Sequence, residues 1–378
     1  MNYLIEIITS VASFMIRASR AAGGTLAFAL AGLAVTAAAQ PAEGKPEGGV
    51  VHTSAIVFNP VVKKVYAIDQ PRSEVVVLDT KTGTVRRVGV GAVPVSMAVN
   101  ERSGRVYVAN SSAGTVTVID PLTDTAAATV PVERRPYSIA VNSATGQIYV
   151  TNTFSDKTSI LDGATNISKP LRTGAVDLIA VDSAANTIYL LSYESGTVTV
   201  LDGARLTMTR REGGKHAWGM AVDEASHTLY VARMGTGDVK ALGRDAGEDT
   251  VTTAGRTTSS IAVNSKTHMV YAGNYASGDV TVIDGRTRRA VATVRVGEHP
   301  QALAVDEVRN LVFSANTQGD SVTVIDGATN QALATLPAGR RPYALAVEPG
   351  SSKLYVANAA GEKVFTVVDT SGIPGARQ

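Results

Sequence analysis

The sequence predicts an all-β protein, a β-propeller of eight four-stranded antiparallel blades. The first observation is a repeated phrase, an aliphatic residue followed by Tyr-Val-Ala/Thr-Asn, which returns about every 41 residues. The second is that each period contains short runs of β-branched residues bounded by Gly, Asn, Asp and Ser, the composition of strands and turns. The third is that no window outside the N-terminal region shows the 3.6-residue period of an amphipathic helix.

The repeat is regular enough to count. Its anchor residues are spaced by 40 to 42 residues, and they are Tyr66, Tyr107, Tyr149, Tyr189, Tyr230, Tyr271, Phe313 and Tyr355. A fixed period of about 40–45 residues is typical of propeller blades or of helical arrays. The runs SIAVN, QIYVTN, TVTVID and ATVPV have the composition of strands, so we expect eight blades around a central channel.

The run IYVTN at residues 148–152 resembles the repeat of the YVTN β-propeller family, and the similarity extends over about residues 53–370. The resemblance implies a propeller fold. Because many relatives have seven blades, seven is the alternative count. The resemblance implies no single function, since proteins that share a propeller fold differ widely in role.

The last blade is expected to differ from the others. The eighth unit ends after a third strand, VFTVVDT at residues 364–370. An N-terminal strand usually completes such a blade, but residues 48–52, which would supply it, are poor strand formers. We therefore expect a loosely closed or three-stranded last blade.

Two sets of repeated polar residues are expected to be structural. Aspartates start tight turns by accepting a hydrogen bond from the N–H two residues on; they are Asp79, Asp120, Asp162, Asp202, Asp284 and Asp326. Asparagines end the second strands and are expected to fasten the following loop; they are Asn110, Asn152, Asn274, Asn316 and Asn358.

The N-terminal region has the parts of a secretory signal peptide. Arg17 and Arg20 precede a ten-residue apolar run, and Ala37-Ala38-Ala39 follows it. We assign residues 1–39 to the signal, with Met15 as an alternative start, and residues 40–52 to a flexible lead-in. Residues 53–370 form the propeller domain and 371–378 a tail. The alternative is an uncleaved anchor, but the run is shorter than the roughly 20 residues of a spanning helix.

Composition narrows the class of protein. A hydrophobic fraction of 44% supports a folded core, and a net charge of +2 argues against bulk nucleic-acid binding. The absence of cysteine excludes thiolate metal sites, cysteine nucleophiles and cysteine-linked haem. We expect a periplasmic or secreted bacterial protein that is a monomer and has no membrane span once the signal is removed.

The loops that lead into the first strand of each blade, here called the channel loops, differ most between the copies. They are expected to meet at one end of the channel, here called the channel mouth. Three of the five histidines fall at one position in them, His52, His216 and His299. The candidate ligand-binding residues are Arg134, Arg135, Tyr137, Lys215, His216, Trp218, Arg256, His299, Arg340, Arg341 and Tyr343.

These residues predict a rim of positive charge with aromatic faces nearby. Arginine binds carboxylate and phosphate through a planar fork, and charges around a concave mouth focus the field there. We therefore expect a binding or scaffold protein, rather than an enzyme, that captures an anionic or flat aromatic small molecule or an acidic protein surface. No cofactor is expected.

Two alternatives use the same mouth. Propellers resembling this one include lactonases and lyases, for which Glu298 and His299 are the best candidate pair, although no common catalytic motif is present. They also include the haem-carrying domain of cytochrome cd nitrite reductases, whose histidines project to the channel. A haem or metal held by His52, His216 and His299 is therefore the other alternative.

Overall fold

The computed structural model describes residues 54–243, 247 and 249–373. These residues form 31 β-strands and a single turn of 3-10 helix, Gln70–Arg72. The all-β prediction is therefore confirmed for this part of the chain. The expected signal peptide, the lead-in and His52 lie outside the described residues.

The strands form antiparallel meanders, one after another along the chain. Blade 1 contains β1 (Ile56–Asn59), β2 (Lys64–Asp69), β3 (Glu74–Asp79) and β4 (Val85–Gly89). Blade 2 contains β5 (Pro94–Val99), β6 (Val106–Asn110), β7 (Thr115–Asp120) and β8 (Thr125–Pro131). Blade 3 contains β9 (Pro136–Asn142), β10 (Gln147–Asn152), β11 (Lys157–Asp162) and β12 (Ser168–Arg172). Blade 4 contains β13 (Leu178–Asp182), β14 (Thr187–Leu191), β15 (Thr197–Asp202) and β16 (Met208–Glu212).

The second half repeats this pattern until the last blade. Blade 5 contains β17 (Ala217–Asp223), β18 (Thr228–Arg233), β19 (Asp238–Leu242) and β20 (Thr250–Thr253). Blade 6 contains β21 (Thr258–Asn264), β22 (Met269–Asn274), β23 (Asp279–Asp284) and β24 (Arg289–Arg295). Blade 7 contains β25 (Pro300–Asp306), β26 (Leu311–Asn316), β27 (Ser321–Asp326) and β28 (Gln331–Pro337). Blade 8 has three strands, β29 (Pro342–Val347), β30 (Lys353–Asn358) and β31 (Phe365–Asp369).

The blades are arranged in a closed ring. The first strand of each blade lies against the first strand of the next, and β29 of blade 8 lies against β1 of blade 1. Eight blades are therefore confirmed, and the alternative of seven is wrong. The expectation of a three-stranded last blade also holds for the residues that the structure describes.

The anchor residues explain why the period is so regular. Each lies in a second strand, and the exposed fraction of every anchor side chain is between 0% and 6%. Tyr66 of blade 1 packs with Met97 and Ile119 of blade 2, and Tyr107 packs in the same way with Ile148 of blade 3. Because each large ring fills the space between two blades, losing one anchor would open a cavity at a blade junction.

The repeated aspartates and asparagines have the structural roles expected of them. Asp79 accepts a hydrogen bond from the Lys81 N–H at 2.9 Å, and the other five aspartates accept the equivalent bond in their turns. Asn110 donates from Nδ2 to Thr115 and Thr117 of the third strand, which fixes the loop between them.

A second repeated contact joins neighbouring blades, and we call it the latch. The residue that ends the first strand of one blade bonds to the first turn of the next blade. The latches are Asn59 Nδ2 to Gly104 O (2.7 Å), Asn142 Nδ2 to Asn186 Oδ1 (2.8 Å), His227 Nδ1 to Asp182 Oδ2 (2.7 Å), His268 Nδ1 to Asp223 Oδ2 (2.7 Å), Asn264 Nδ2 to Asn310 Oδ1 (2.8 Å), and Gly350 N–H to Asp306 Oδ2 (3.2 Å). The chemistry is matched at each of these six junctions, because the aspartate receives a donor and the asparagine finds an acceptor.

Candidate functional site

The channel loops and the loops between second and third strands lie at the same end of the ring. This follows from the antiparallel meander, and hydrogen bonds between the two sets of loops show it directly. Thr153 N–H donates to Arg135 O at 3.0 Å, and Thr317 N–H donates to His299 O at 3.0 Å. In blades 2 to 8 the predicted channel mouth is therefore built from two loops of each blade, of which the channel loop is nearer the axis.

One backbone conformation fixes the channel loops. Six of them place a residue in the left-handed region, with φ between 53° and 59°: Val93, Arg135, His216, Thr257, His299 and Arg341. This conformation is unusual for β-branched Val and Thr. In each case the carbonyl of that residue accepts a hydrogen bond from the loop after the second strand. The register that the sequence predicted for these loops is thus confirmed in six blades.

Blade 4 departs from this register. Its channel loop carries Asp177, whose carboxylate accepts a hydrogen bond from the Tyr193 N–H at 2.8 Å. Burial raises the pKa of the Asp177 carboxyl, and the nearby Glu194 acts in the same direction. Burial, followed by the charge of Asp177, also raises the pKa of the Tyr193 hydroxyl. Sequence reasoning missed this half-buried acid, because blade 4 lacks the residue pattern of the other channel loops.

The predicted basic residues are at the mouth, and most are open to solvent. Arg134, Lys215, Arg256 and Arg340 are exposed, and none of the four forms an ion pair with any residue that the structure describes. Arg341 is half-buried, and its backbone N–H donates to Asp320 at 2.8 Å. Because no ion pair with a described residue neutralises them, these four exposed cations can attract an incoming anion.

Aromatic rings lie beside the residues in the left-handed conformation. The Tyr193 ring is 5.3 Å from the His216 ring and 5.4 Å from the Trp218 ring, the latter edge-on. Tyr275 and His299 are stacked, with their ring centroids 4.3 Å apart. In both the Tyr193–His216 pair and the Tyr275–His299 pair, the two rings come from neighbouring blades. The first pair therefore connects blade 4 to blade 5, and the second connects blade 6 to blade 7.

The guanidinium of Arg135 is placed in a similar way, because it lies over the Phe154 ring at 5.1 Å from the centroid. Sequence reasoning missed Phe154, Tyr193 and Tyr275. A signal was available, since each follows the end of its second strand by one or two residues, in the loop that shares the mouth.

Tyr137 and Tyr343 are less available than expected. Both are half-buried, Tyr137 against the core around Leu178 and Tyr343 against the core around Tyr66. They form part of the channel wall, whereas Trp218 is 37% exposed at the equivalent position in blade 5. Of the three predicted aromatic residues, Trp218 is therefore the one best placed to contact a ligand.

Of the histidines that suggested a metal, haem or catalytic pair, the two that the structure describes lie in different blades. His216 belongs to blade 5 and His299 to blade 7. Among the described residues no three His, Asp or Glu side chains form a group that could hold a metal ion. The Nδ1 atom of His299 is buried and has no hydrogen-bond partner, so it is not paired with Glu298.

The opposite end of the channel has a different character. A glutamate lies just after the first strand in four blades, directly after it at Glu224, Glu307 and Glu348 and one residue later at Glu101. A cavity of about 700 Å³ opens there, with aliphatic walls from the first strands of blades 2 to 4 and with Glu101 and Glu224 at its rim. Two of these glutamates accept bonds from neighbouring blades, Glu224 from Ser183 N–H and Glu307 from Ser265 N–H. The far end of the channel therefore carries these glutamates, with Arg102 also lining the cavity, whereas the mouth carries the two Arg-Arg pairs.

The fold and the ring define an eight-bladed β-propeller. No family model and no curated protein sequence matches the chain, so the resemblance to the YVTN repeat family stays a hypothesis. Among solved structures, the chain is similar to hydrazine synthase of Kuenenia stuttgartiensis, with 16% identity and a TM-score of 0.58. The similarity covers 75% of this chain and 99% of that chain, and at this identity it shows the fold alone.

Within the described part of the chain, no helix is long and apolar enough to cross a membrane.

Proposed function

We propose that this protein is an exported β-propeller that binds an anionic ligand, or an acidic segment of a partner protein, at its channel mouth. One observation carries the proposal. Four blades present exposed basic side chains without ion-pair partners, Arg134, Lys215, Arg256 and Arg340, on the loops nearest the axis. Such charges around a concave rim attract anions and speed their association.

The acidic residues of this end do not cancel the rim. Asp156 is paired with Arg172 at 2.6 Å, and Asp320 accepts the Arg341 N–H. Both lie on the loops between second and third strands, farther from the axis than the channel loops. The channel loops themselves carry Glu133, Asp177 and Glu298. Glu133 lies 3.5 Å from Lys157 Nζ, and Asp177 accepts the Tyr193 N–H. Arginine binds carboxylate and phosphate groups best through its planar fork, which fits either kind of anion.

The positions of the two Arg-Arg pairs limit the ligand. Arg134 and Arg135 belong to blade 3, and Arg340 and Arg341 to blade 8. In a ring of eight, these blades are separated by three steps along the shorter arc. A ligand that touches both pairs must therefore be extended, and an acidic peptide segment or a large flat polyanion fits better than a small sugar acid.

The aromatic residues favour a ligand with a flat part. Trp218 and Tyr193 present perpendicular rings beside Lys215, whose charge is exposed. A planar group can stack on Trp218 while its anionic substituent meets the neighbouring cation, since aromatic rings prefer stacked or edge-to-face contacts.

The test is equilibrium binding of fluorescein-labelled decaglutamate, measured by anisotropy at low and physiological salt. The rim variant changes Arg134, Arg135, Arg340 and Arg341 to Ser. The control variant changes four exposed arginines of the outer strands and of the far turns, Arg86, Arg205, Arg286 and Arg289, to Ser. Both variants lose four positive charges, at different places on the protein. The control variant also loses two surface ion pairs, Arg86 with Asp124 and Arg205 with Asp202.

We expect the rim variant to bind at least about a hundredfold more weakly, because each charge-assisted contact contributes about 1.5–3 kcal/mol. The control variant should stay within about threefold of wild type in Kd. Equal weakening of the two variants would show that net charge, and not the mouth, attracts the anion.

A further inference from the structure

The outer edge of blade 8 differs from every other outer edge. Among the described residues, no strand pairs with the outer side of β31. Asn358 N–H donates to Val364 O at 3.0 Å, which sets the alternation of the β30–β31 ladder. It follows that Phe365, Val367 and Asp369 direct their N–H and C=O groups away from β30, toward the open edge.

The side chains at this edge are also uncovered. Val367 lies opposite the anchor Tyr355, and its side chain is 44% exposed. The equivalent residues opposite the other anchors are Val77 (1%), Val118 (1%), Ala241 (4%), Val282 (0%) and Val324 (0%), with Ile160 and Val200 half-buried. In those seven blades a fourth strand lies beside this position, whereas in blade 8 no described strand covers it.

The edge has little protection against strand addition. Four of the seven fourth strands carry Lys or Arg along their length, namely β4, β12, β16 and β24. Charged residues on an edge strand oppose pairing with another chain. The open strand of blade 8 reads FTVVD and carries a single charge, Asp369 at its end.

We propose that this edge is a docking site for an extended strand of a partner polypeptide, which pairs antiparallel to β31 and completes blade 8. The argument for the occupant is the seven filled copies of the same edge within this protein. Adding a strand satisfies a row of backbone groups and covers the apolar residue between them. The proposal is independent of the channel mouth.

The filled copies also specify the sequence of the occupant. The fourth strands of blades 2, 6 and 7 share Ala-Thr-Val or Ala-Thr-Leu, at residues 128–130, 292–294 and 334–336. In each, the Ala lies opposite the equivalent of Val367 and the Val or Leu opposite the equivalent of Phe365. The partner strand therefore carries Ala opposite Val367, Thr opposite Thr366 and an aliphatic residue opposite Phe365.

The experiment adds a fluorescein-labelled peptide with the sequence of residues 125–132, TAAATVPV, to the full-length protein. The control peptide replaces the Ala of position 128 with Pro, because that N–H bonds to the third strand in blade 2. The protein variants are Val367→Asp at the open edge and Val291→Asp on the outer strand of blade 6, which is 52% exposed. Binding is measured by anisotropy, and hydrogen exchange by mass spectrometry follows residues 365–369.

We expect saturable binding of the first peptide and at least tenfold slower exchange across residues 365–369. The Pro peptide and Val367→Asp should each weaken binding at least tenfold, whereas Val291→Asp should not change it. Should Val367→Asp fail to fold, the Pro peptide still decides the question.

Other results would overturn the proposal. Slow exchange of residues 365–369 without peptide, in a monomer, would mean that the chain itself fills the edge. Exchange at residues 365–369 that becomes slower as the protein concentration increases, together with the mass of a dimer, would assign the edge to a second copy. Fast exchange with no peptide binding would show that the edge accepts no strand.

Discussion

The latch between blades 4 and 5 is expected to stabilise the protein by an amount that a substitution of His227 can measure. The Asp182 side chain is 0% exposed, and His227 Nδ1 lies 2.7 Å from its Oδ2 atom. The other carboxylate oxygen, Oδ1, accepts the Ala185 N–H at 2.8 Å. Changing His227 to Ala leaves Oδ2 buried without a donor, which costs about 1–3 kcal/mol. Because the histidine is 30% exposed, water partly replaces it, and we expect a loss of about 2 kcal/mol in the free energy of unfolding.

The chain supplies its own control for this change. Asn142 and Asn186 form the same latch between blades 3 and 4, at 2.8 Å. The double variant Asp182→Asn/His227→Asn recreates that pair. His227 and Asn186 both adopt a left-handed conformation, with φ of 54° and 51°, which Asn tolerates well. The double variant should therefore recover to within about 1 kcal/mol of wild type.

The assay is equilibrium urea unfolding followed by the fluorescence of Trp218, the one tryptophan of the chain. Trp218 lies in β17, the first strand of blade 5, and so reports on the blade that the latch holds. An alanine variant as stable as wild type would refute the reasoning. A double variant no more stable than the alanine variant would also refute it, since the matched chemistry would then be irrelevant.

Three further outcomes follow from the anchors and the N-terminal sequence. The Tyr271 hydroxyl is buried without a hydrogen-bond partner, so Tyr271→Phe should be neutral or slightly stabilising in urea, whereas Tyr271→Ala should cost on the order of 3–5 kcal/mol. Burial raises the pKa of Tyr271 to about 12. The stability that its neutral hydroxyl contributes is therefore complete below pH 10 and is lost as the pH rises through 12. The urea midpoint of unfolding should fall over that pH window, and it should fall less steeply in Tyr271→Phe. N-terminal sequencing of protein isolated from its natural source should begin at or near Gln40, and a mature chain that retains residues 26–35 would contradict export.

Most of the fold could be predicted from sequence because the determinants are local and repeated. The anchor tyrosines and the turn aspartates act within one blade or at one junction, so each copy of the phrase reports the same geometry. Phe313 shows that the anchor needs a large ring and not a hydroxyl, since it is 2% exposed in the same position. The three strands that the structure describes in blade 8 were predictable for the same reason, because residues 342–370 contain three strand-like runs.

The candidate site could be predicted only in part. The basic residues were found because the channel loops share one register, as Arg134 and Arg340 show. The partners of the aromatic residues could not be found in the same way. Tyr275 and His299 are 24 positions apart in the sequence and belong to different blades, so only the ring brings them together.

Two features needed the structure for a different reason. Asp177 lies where blade 4 breaks the repeat, so alignment of the copies hides it. The glutamates at the far end of the channel all lie within two residues of the end of a first strand, but each copy alone resembles an ordinary turn residue. Their contribution to the charge of the channel depends on which end of the ring they occupy.

The central claim, that the channel mouth captures an anion, is tested most directly by native mass spectrometry of protein isolated from its natural source. The comparison is between wild type, the fourfold rim variant and the fourfold control variant, each produced in that source. The claim predicts an added mass on wild type and on the control variant, lost from both at high salt and absent from the rim variant. An added mass retained by the rim variant to the same extent as wild type would contradict the claim.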